Sequence, residues 1–195
     1  MRQICTSDVT PVPWRNGGGL TRELLAWPSP PDWSCRVSVA DIASDGPFSA
    51  FPGVTRHFVV LEGDGVVLDF AGRQIEHRPG DAPLVFDGAA APGCRRLGGP
   101  VRDLNLMCRG GRGALLPVGG AWQPPHGGLA GLFTRVSGTW RAGAETRALP
   151  AQTLLASFPA DSMANAAPWT FTPDAPTTLP GWWFTHEPLQ KDSAA

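Results

Sequence analysis

Glycine and proline interrupt this chain so often that no long regular element has room to form. The 24 glycines and 21 prolines of its 195 residues stand between short apolar runs rather than in one tract. Proline is barred from helix interiors and central strands, and glycine supplies the tight turns that join short strands. Many short strands separated by turn signals predict an all-β sandwich or closed barrel with little helix. The 42% hydrophobic and 17% charged content is enough to build a core and excludes a disordered or coiled-coil chain. A chain of this length buries roughly 70% of its unfolded surface and needs no disulfide staples.

The periodicity assigns faces. Residues 34–42 (SCRVSVADI) alternate, with Cys35, Val37 and Val39 on one side and Arg36, Ser38 and Ala40 on the other. Residues 101–108 (VRDLNLMC) alternate too, placing Val101, Asp103, Asn105 and Met107 opposite Arg102, Leu104, Leu106 and Cys108. The β-rich runs 56–62 and 65–70, separated by Gly-Asp-Gly, predict a hairpin. Residues 20–27 (LTRELLAW) fit either a short helix or a strand, and Pro28, Pro30 and Pro31 stop anything longer. Turns at 71–73 and 79–81 bracket a run at 73–78, and another strand follows at 82–87. Beyond the Gly-rich joint 110–113, short apolar runs at 114–118, 129–136, 153–158 and 181–186 give the second half a similar rhythm, without a sequence repeat.

Charge and termini exclude whole classes of partner. The net charge is −1 and Arg95-Arg96 is the only adjacent basic pair, so no nucleic-acid footprint exists. No apolar stretch reaches the length of a membrane span and the N-terminus has no signal-peptide core, so no membrane association and a cytoplasmic location are expected. Cys5, Cys35, Cys94 and Cys108 form no CxxC and read as small buried hydrophobes. His57, His77, His126 and His186 form neither HxH nor HExxH, so no metal and no other cofactor are expected.

Three places carry polar chemistry. Asp103 and Asn105 share an otherwise apolar strand face, and buried polar groups need partners or a wet cavity. The segment Trp14-Arg15-Asn16-Gly17-Gly18-Gly19, followed by Arg22, offers an anion nest and two cations, although it lacks the ending and βαβ context of a P-loop. In 45–53 (DGPFSAFPG), Phe48 and Phe51 are read as plugs of a packed lid and Ser49 as a turn cap. No G-x-S-x-G elbow exists, Glu62 and Asp64 read as solvated, and no catalytic residue is assigned.

The segments 13–24 (PWRNGGGLTREL), 40–56 (ADIASDGPFSAFPGVTR) and 98–107 (GGPVRDLNLM) resemble the HutD/Ves family of small double-cupin proteins. The stretch 62–81, with its Pro-Gly-Asp turn, resembles the core of a cupin barrel. The family usually carries Lys where this chain has Arg15, which keeps the charge but changes the hydrogen-bond geometry. The resemblance implies a bicupin (double cupin-like) β-barrel or jelly roll, divided into a first half at 1–110 with the main pocket, a second at 111–190, and a tail at 191–195. It implies no metal-binding histidines, and a role as governor of histidine breakdown through a metabolite such as N-formylglutamate. In metal-binding cupins a ligand Glu commonly stands about seven residues before a strand-closing Gly. With Gly63 in that place, the position is held by Arg56, a cation suited to a carboxylate. The strand's alternation alone leaves open whether Arg56, Phe58 and Val60 or His57, Val59 and Leu61 face inward.

The expected ligand-binding residues are thus Arg56, Asp103, Asn105, Trp14, Arg15, Asn16 and Arg22, and the expected partner is a small anionic metabolite. A homodimer is left open. The competing readings are a metal-free cupin enzyme, an isomerase or hydrolase, and an interaction protein with a vestigial pocket.

Overall fold

The computed structural model describes residues 1–161 and 167–188; the tail assigned to 191–195 lies outside them. In the first half the strands are β1 (Arg2–Cys5), β2 (Val12–Pro13), β3 (Gly19–Trp27), β4 (Cys35–Ile42), β5 (Gly46–Pro47), β6 (Val54–Glu62), β7 (Val66–Phe70), β8 (Arg73–His77), β9 (Leu84–Asp87), β10 (Gly93–Arg96) and β11 (Val101–Arg109). The second half adds β12 (Gly111–Pro117), β13 (Leu129–Thr134), β14 (Gly138–Ala142), β15 (Glu145–Leu149), β16 (Thr153–Ser157), β17 (Trp169–Pro173) and β18 (Gly181–Pro188). Helix among the described residues amounts to two 3₁₀ turns, Thr6–Asp8 and Gly88–Ala90. None is long and apolar enough to cross a membrane.

The strands form a six-stranded sheet (β2-β3-β4-β11-β6-β9), a four-stranded sheet (β5-β10-β7-β8), a five-stranded sheet (β1-β16-β13-β18-β12) and a three-stranded sheet (β15-β14-β17). A large and a small sheet make each half, giving the double cupin-like architecture as two jelly-roll cups rather than closed barrels. The halves are interlocked: β1, from the start of the chain, pairs with β16, so the boundary drawn at 110/111 is crossed by one strand.

The two large sheets pack back to back. Val37, Val39, Val59, Leu61, Leu104 and Leu106 meet Leu115, Phe133, Leu154, Trp182 and Phe184 in one continuous core. Because side chains alternate across a strand, burying that set turns Arg36, Ser38, Asp103, Asn105 and Arg56 to the opposite face, into the first cup. Tertiary packing therefore settles the inward face of β6: Arg56 points into the cup, while His57 lies buried on the other side.

Two expectations resolve differently. Residues 20–27 are strand throughout, with a bulge between Glu23 and Leu25 that puts both Leu24 and Leu25 into the core and blurs the alternation. The hairpin expected across Gly63-Asp64-Gly65 is instead a corner, because β6 pairs with β11 and β9 whereas β7 pairs with β10 and β8. Gly63 (φ 94°) and Gly65 (φ 108°) turn the chain from the large sheet to the small one. A side chain at either would meet a backbone oxygen 2.6 Å away, from Pro100 or His77. The hairpin in this region is β7–β8, closed by Ala71 (φ 53°) and Gly72 (φ 97°), the two left-handed positions that match strand twist.

The second cup is filled. Trp140, Trp169 and Trp183 are buried in its core with Leu132, Leu155 and Phe171, and Trp122 packs against them. Trp122 stacks on Trp183 with centroids 5.0 Å apart, and Trp140 meets Trp169 edge to face at 5.1 Å. Four indoles occupy the volume that in the first cup is left open.

Candidate functional site

The first cup encloses a cavity of about 720 Å³. Register builds its floor. Met107 on β11 stands opposite Arg36 on β4 and Arg56 on β6, and Phe86 on β9 completes that row. Two residues along, Asn105 lies between Ser38 and Phe58, and Asp103 between Ala40 and Val60.

Arg56 is the centre of this arrangement. Its guanidinium carbon lies 4.9 Å from the Phe48 ring centroid, 5.1 Å from Phe86 and 5.9 Å from Phe51, an aromatic collar that fixes the plane of the fork. Its Nη2 and Nε donate to Asn105 Oδ1 at 2.6 and 3.3 Å. Asn105 Nδ2 in turn donates to Asp103 Oδ1, so Asp103 reaches the cation through an amide relay. No direct Asp103–arginine ion pair forms among the described residues; the diagonal offset between the strands leaves room for Asn105 between Asp103 and Arg56.

Burial sets the electrostatics. Arg56 is 6% exposed, and its pKa falls to about 10, chiefly through desolvation, with Asp103 opposing and Arg36 adding to the fall. It remains a cation at neutral pH. Asp103, 1% exposed, is pushed up to about 7 by burial, against the pull of Arg56 and the hydrogen bond from Asn105. A guanidinium has five N–H donors, and Asn105 engages two of Arg56's. The fork thus lines the cavity with capacity for a planar acceptor such as a carboxylate.

The rim comes from the glycine-rich segment. Trp14, Arg15 and Asn16 line the cavity, with Arg15 and Asn16 exposed at its mouth. Trp14 Nε1 donates to Thr21 Oγ1 at 2.7 Å, and its ring meets Phe48 edge-on, which pins the rim to the lid. The expected anion nest is spent internally: the Gly17 N–H donates to Trp14 O and the Gly18 N–H to Asn16 Oδ1, both at 3.0 Å.

Arg22 is a correction. Thr21 takes the cavity side of β3, so its neighbour Arg22 faces away and donates to Asp41 Oδ2 at 2.6 Å. Asp41 also accepts from Arg102 Nε at 2.6 Å, and the two arginines hold its carboxyl below the usual range despite partial burial. Arg22→Ala is expected to cost about 0.2–1 kcal/mol as a partly exposed ion pair and to leave ligand affinity unchanged, a pairing of results that denaturation and titration of one sample would check.

Sequence reasoning missed Arg36, Glu23 and Phe86. Arg36 Nε lies 2.7 Å from Glu23 Oε2 inside the cavity, so this second cation arrives already neutralised. Its signal was present in the alternation that placed it beside Ser38; Phe86 became visible only through the β6–β9 register.

The donor set does not suit a divalent cation. Among the described residues no three His, Cys, Asp or Glu side chains converge, and none of the histidines lines the cavity. A guanidinium occupies the floor and repels a metal ion, so the lining does not fit one.

Comparison with known proteins bears on family and fold. A relative from Pseudomonas putida, named as an uncharacterized 21.2 kDa protein in the hutC 3' region, is 39% identical over 110 residues, 55% of this chain and 57% of that protein. The chain therefore spans just over half the length of this relative. Protein Ves of Citrobacter koseri is 34% identical over 142 residues, 70% of this chain and 74% of the relative. The structure of HutD from Pseudomonas fluorescens SBW25 superposes with a TM-score of 0.75 at 24% identity, covering 95% of this chain and 96% of that one, which shows the shared fold. The HutD family model matches residues 6–119, the stretch that includes the first cup with Trp14, Arg56, Asp103 and Asn105, and on that match the chain belongs to the HutD family.

Proposed function

We propose that the first cup binds a small carboxylate and that the protein acts as a non-catalytic metabolite sensor, a governor of histidine utilisation, with N-formylglutamate as the ligand. The family's association with histidine utilisation supports the setting. The observation that carries the reading is Arg56: a buried guanidinium, collared by three phenyl rings, bonded to a neutral amide, and facing an open cavity. Two charge-assisted hydrogen bonds at about 1.5–3 kcal/mol each, with some apolar burial against Phe48 and Met107, fit mM to μM affinity, roughly −4 to −8 kcal/mol.

A thermal-shift panel of histidine-pathway metabolites tests this. A ligand at about 100 times its Kd stabilises by roughly 2.7 kcal/mol, whereas an uncharged amide analogue at the same concentration should give no shift. Equal shifts from acid and amide would remove the carboxylate from the account.

A second reading, a metal-free isomerase or hydrolase, is favoured by Asp103, whose pKa of about 7 is that of an acid–base catalyst. Turnover of N-formylglutamate or urocanate by the wild type, lost in Asp103→Asn with binding kept, would select it over the sensor.

A further inference from the structure

Behind the cavity floor, on the face of the large sheet that the cup does not use, Cys35 and Cys108 are direct cross-strand partners of β4 and β11. The next pair outward, Arg109 and Ser34, is hydrogen-bonded, N to O at 2.7 Å. Bonded and non-bonded pairs alternate along an antiparallel ladder, so Cys35 and Cys108 occupy a non-bonded pair, where Cα atoms stand about 4.5 Å apart. That spacing lies within the range a disulfide spans, about 4.4–6.8 Å. Both thiols are buried, at 0% and 2% exposure.

The surroundings distinguish the two sulfurs. The imidazole of His186 lies against Cys108, and neither of its buried ring nitrogens has a hydrogen-bond partner, nor does Nε2 of His57 nearby. Cys108 also sits directly beneath Gly113: a Cβ there would fall 2.2 Å from Sγ and 3.4 Å from His57 Nε2. The absent side chain lets the backbone of β12 lie directly over the sulfur at a half-buried position. The Cys35 thiol next to it and the His186 imidazole lower the Cys108 pKa, while the same contact raises that of Cys35. One sulfur is set up as a nucleophile and the other as a protonated resolving thiol.

We propose that Cys35 and Cys108 form a reversible disulfide, with Cys108 reacting first with a small hydroperoxide. The Cys108 thiolate, its proton held on His186, attacks the terminal peroxide oxygen. The S–O bond forms, the O–O bond breaks, and the departing alkoxide or hydroxide takes the proton from His186. Cys35 then attacks the sulfenic sulfur; the S–S bond forms and hydroxide leaves with the Cys35 proton as water. Two thiols lose two electrons and the peroxide gains them. The resulting staple joins the strand residues adjoining Arg36 and Met107, locking two rows of the cavity floor together.

The test treats the full chain with stoichiometric hydrogen peroxide, removes the peroxide, unfolds the protein in urea with N-ethylmaleimide to block every remaining thiol, and maps the peptides. The expected result is a Cys35–Cys108 cross-linked peptide, loss of alkylation at those two positions, retained alkylation at Cys94, and recovery of all four thiols with dithiothreitol. In Cys35→Ala the reaction should stop at a Cys108 sulfenic acid that dimedone traps. Full alkylation of Cys35 and Cys108 in peroxide-treated wild type would overturn the proposal, as would a cross-link confined to Cys5 or Cys94.

Discussion

Arg56→Met is expected to weaken carboxylate binding by about 100- to 10,000-fold while the protein stays folded. The estimate is the loss of two charge-assisted hydrogen bonds at about 1.5–3 kcal/mol each, at about 1.4 kcal/mol per tenfold. Methionine keeps much of the side-chain bulk between Phe48 and Phe86 and is at home against phenyl rings, so the collar has no reason to collapse. Asn105 Oδ1 loses its donor, but it borders the cavity and water can replace the guanidinium. Arg56→Lys should fall between parent and methionine, since it keeps the charge and loses the fork. Calorimetric titration with far-ultraviolet circular dichroism on each variant separates lost binding from lost fold. Parental affinity in Arg56→Met would move the anchor to Arg36 or Arg15.

Asp103 gives the second large effect, in the pH dependence of stability. Its folded pKa of about 7 lies above the reference value of 3.8, so between these limits the folded state holds a proton that the unfolded state has released. The contribution is therefore fully present below about pH 4 and lost as pH rises to about 7. The gap between the two values, at about 1.36 kcal/mol per pKa unit, amounts to about 4 kcal/mol. The groups that run the other way are separable. Asp41, Asp45, Asp69 and Asp161, with lowered pKa values, stabilise above the unfolded carboxylate range and lose that contribution as pH falls through it. His57 and His77, lowered by burial, favour folding as pH rises through the ordinary histidine range. Subtracting the Asp103→Asn profile from the wild type isolates Asp103, because the other groups are common to both. Urea unfolding across pH 4–8 should give a difference that changes by about 4 kcal/mol and flattens above pH 7; a difference independent of pH would show Asp103 ionised throughout. The same carboxyl links binding to protons. A ligand carboxylate on Arg56 competes with Asp103 for one cation, which raises the Asp103 pKa and draws in a proton, so affinity should decline as pH rises above 7.

The alternation in 34–42 and 101–108 was enough to place Arg36, Ser38, Asp103 and Asn105 on one face and the core residues on the other, because those strands keep strict period two between two buried layers. The same logic stalled on β3, where the bulge after Glu23 breaks the period, and on β6, whose two faces are both apolar enough to be buried. Gly-Asp-Gly was misread because a corner and a hairpin demand the same left-handed glycines; only the pairing partners of β6 and β7 tell them apart. Arg22 was assigned to the site by its nearness to the glycine segment, when the parity of Thr21 excluded it. Strands β14, β15 and β17 escaped notice because the cup they build is packed by four tryptophans spread from 122 to 183, a cluster with no local period. No sequence pattern could show the Asn105 relay, which depends on register between strands about fifty residues apart, or the phenyl collar, which folds Phe48 and Phe51 of the preceding loop over Arg56 and sets Phe86 of β9 beside it.

The sensor function requires that Arg56 receive a carboxylate in the first cup. A crystal structure of the wild-type protein soaked or grown with N-formylglutamate reads this out at atomic level. The expected result is a carboxylate group in the cavity with both oxygens within hydrogen-bond distance of the Arg56 guanidinium, about 2.7–2.9 Å, and Phe48 and Phe86 still flanking the fork. Ligand density elsewhere on the molecule, or a first cup holding only water at saturating ligand, would contradict it.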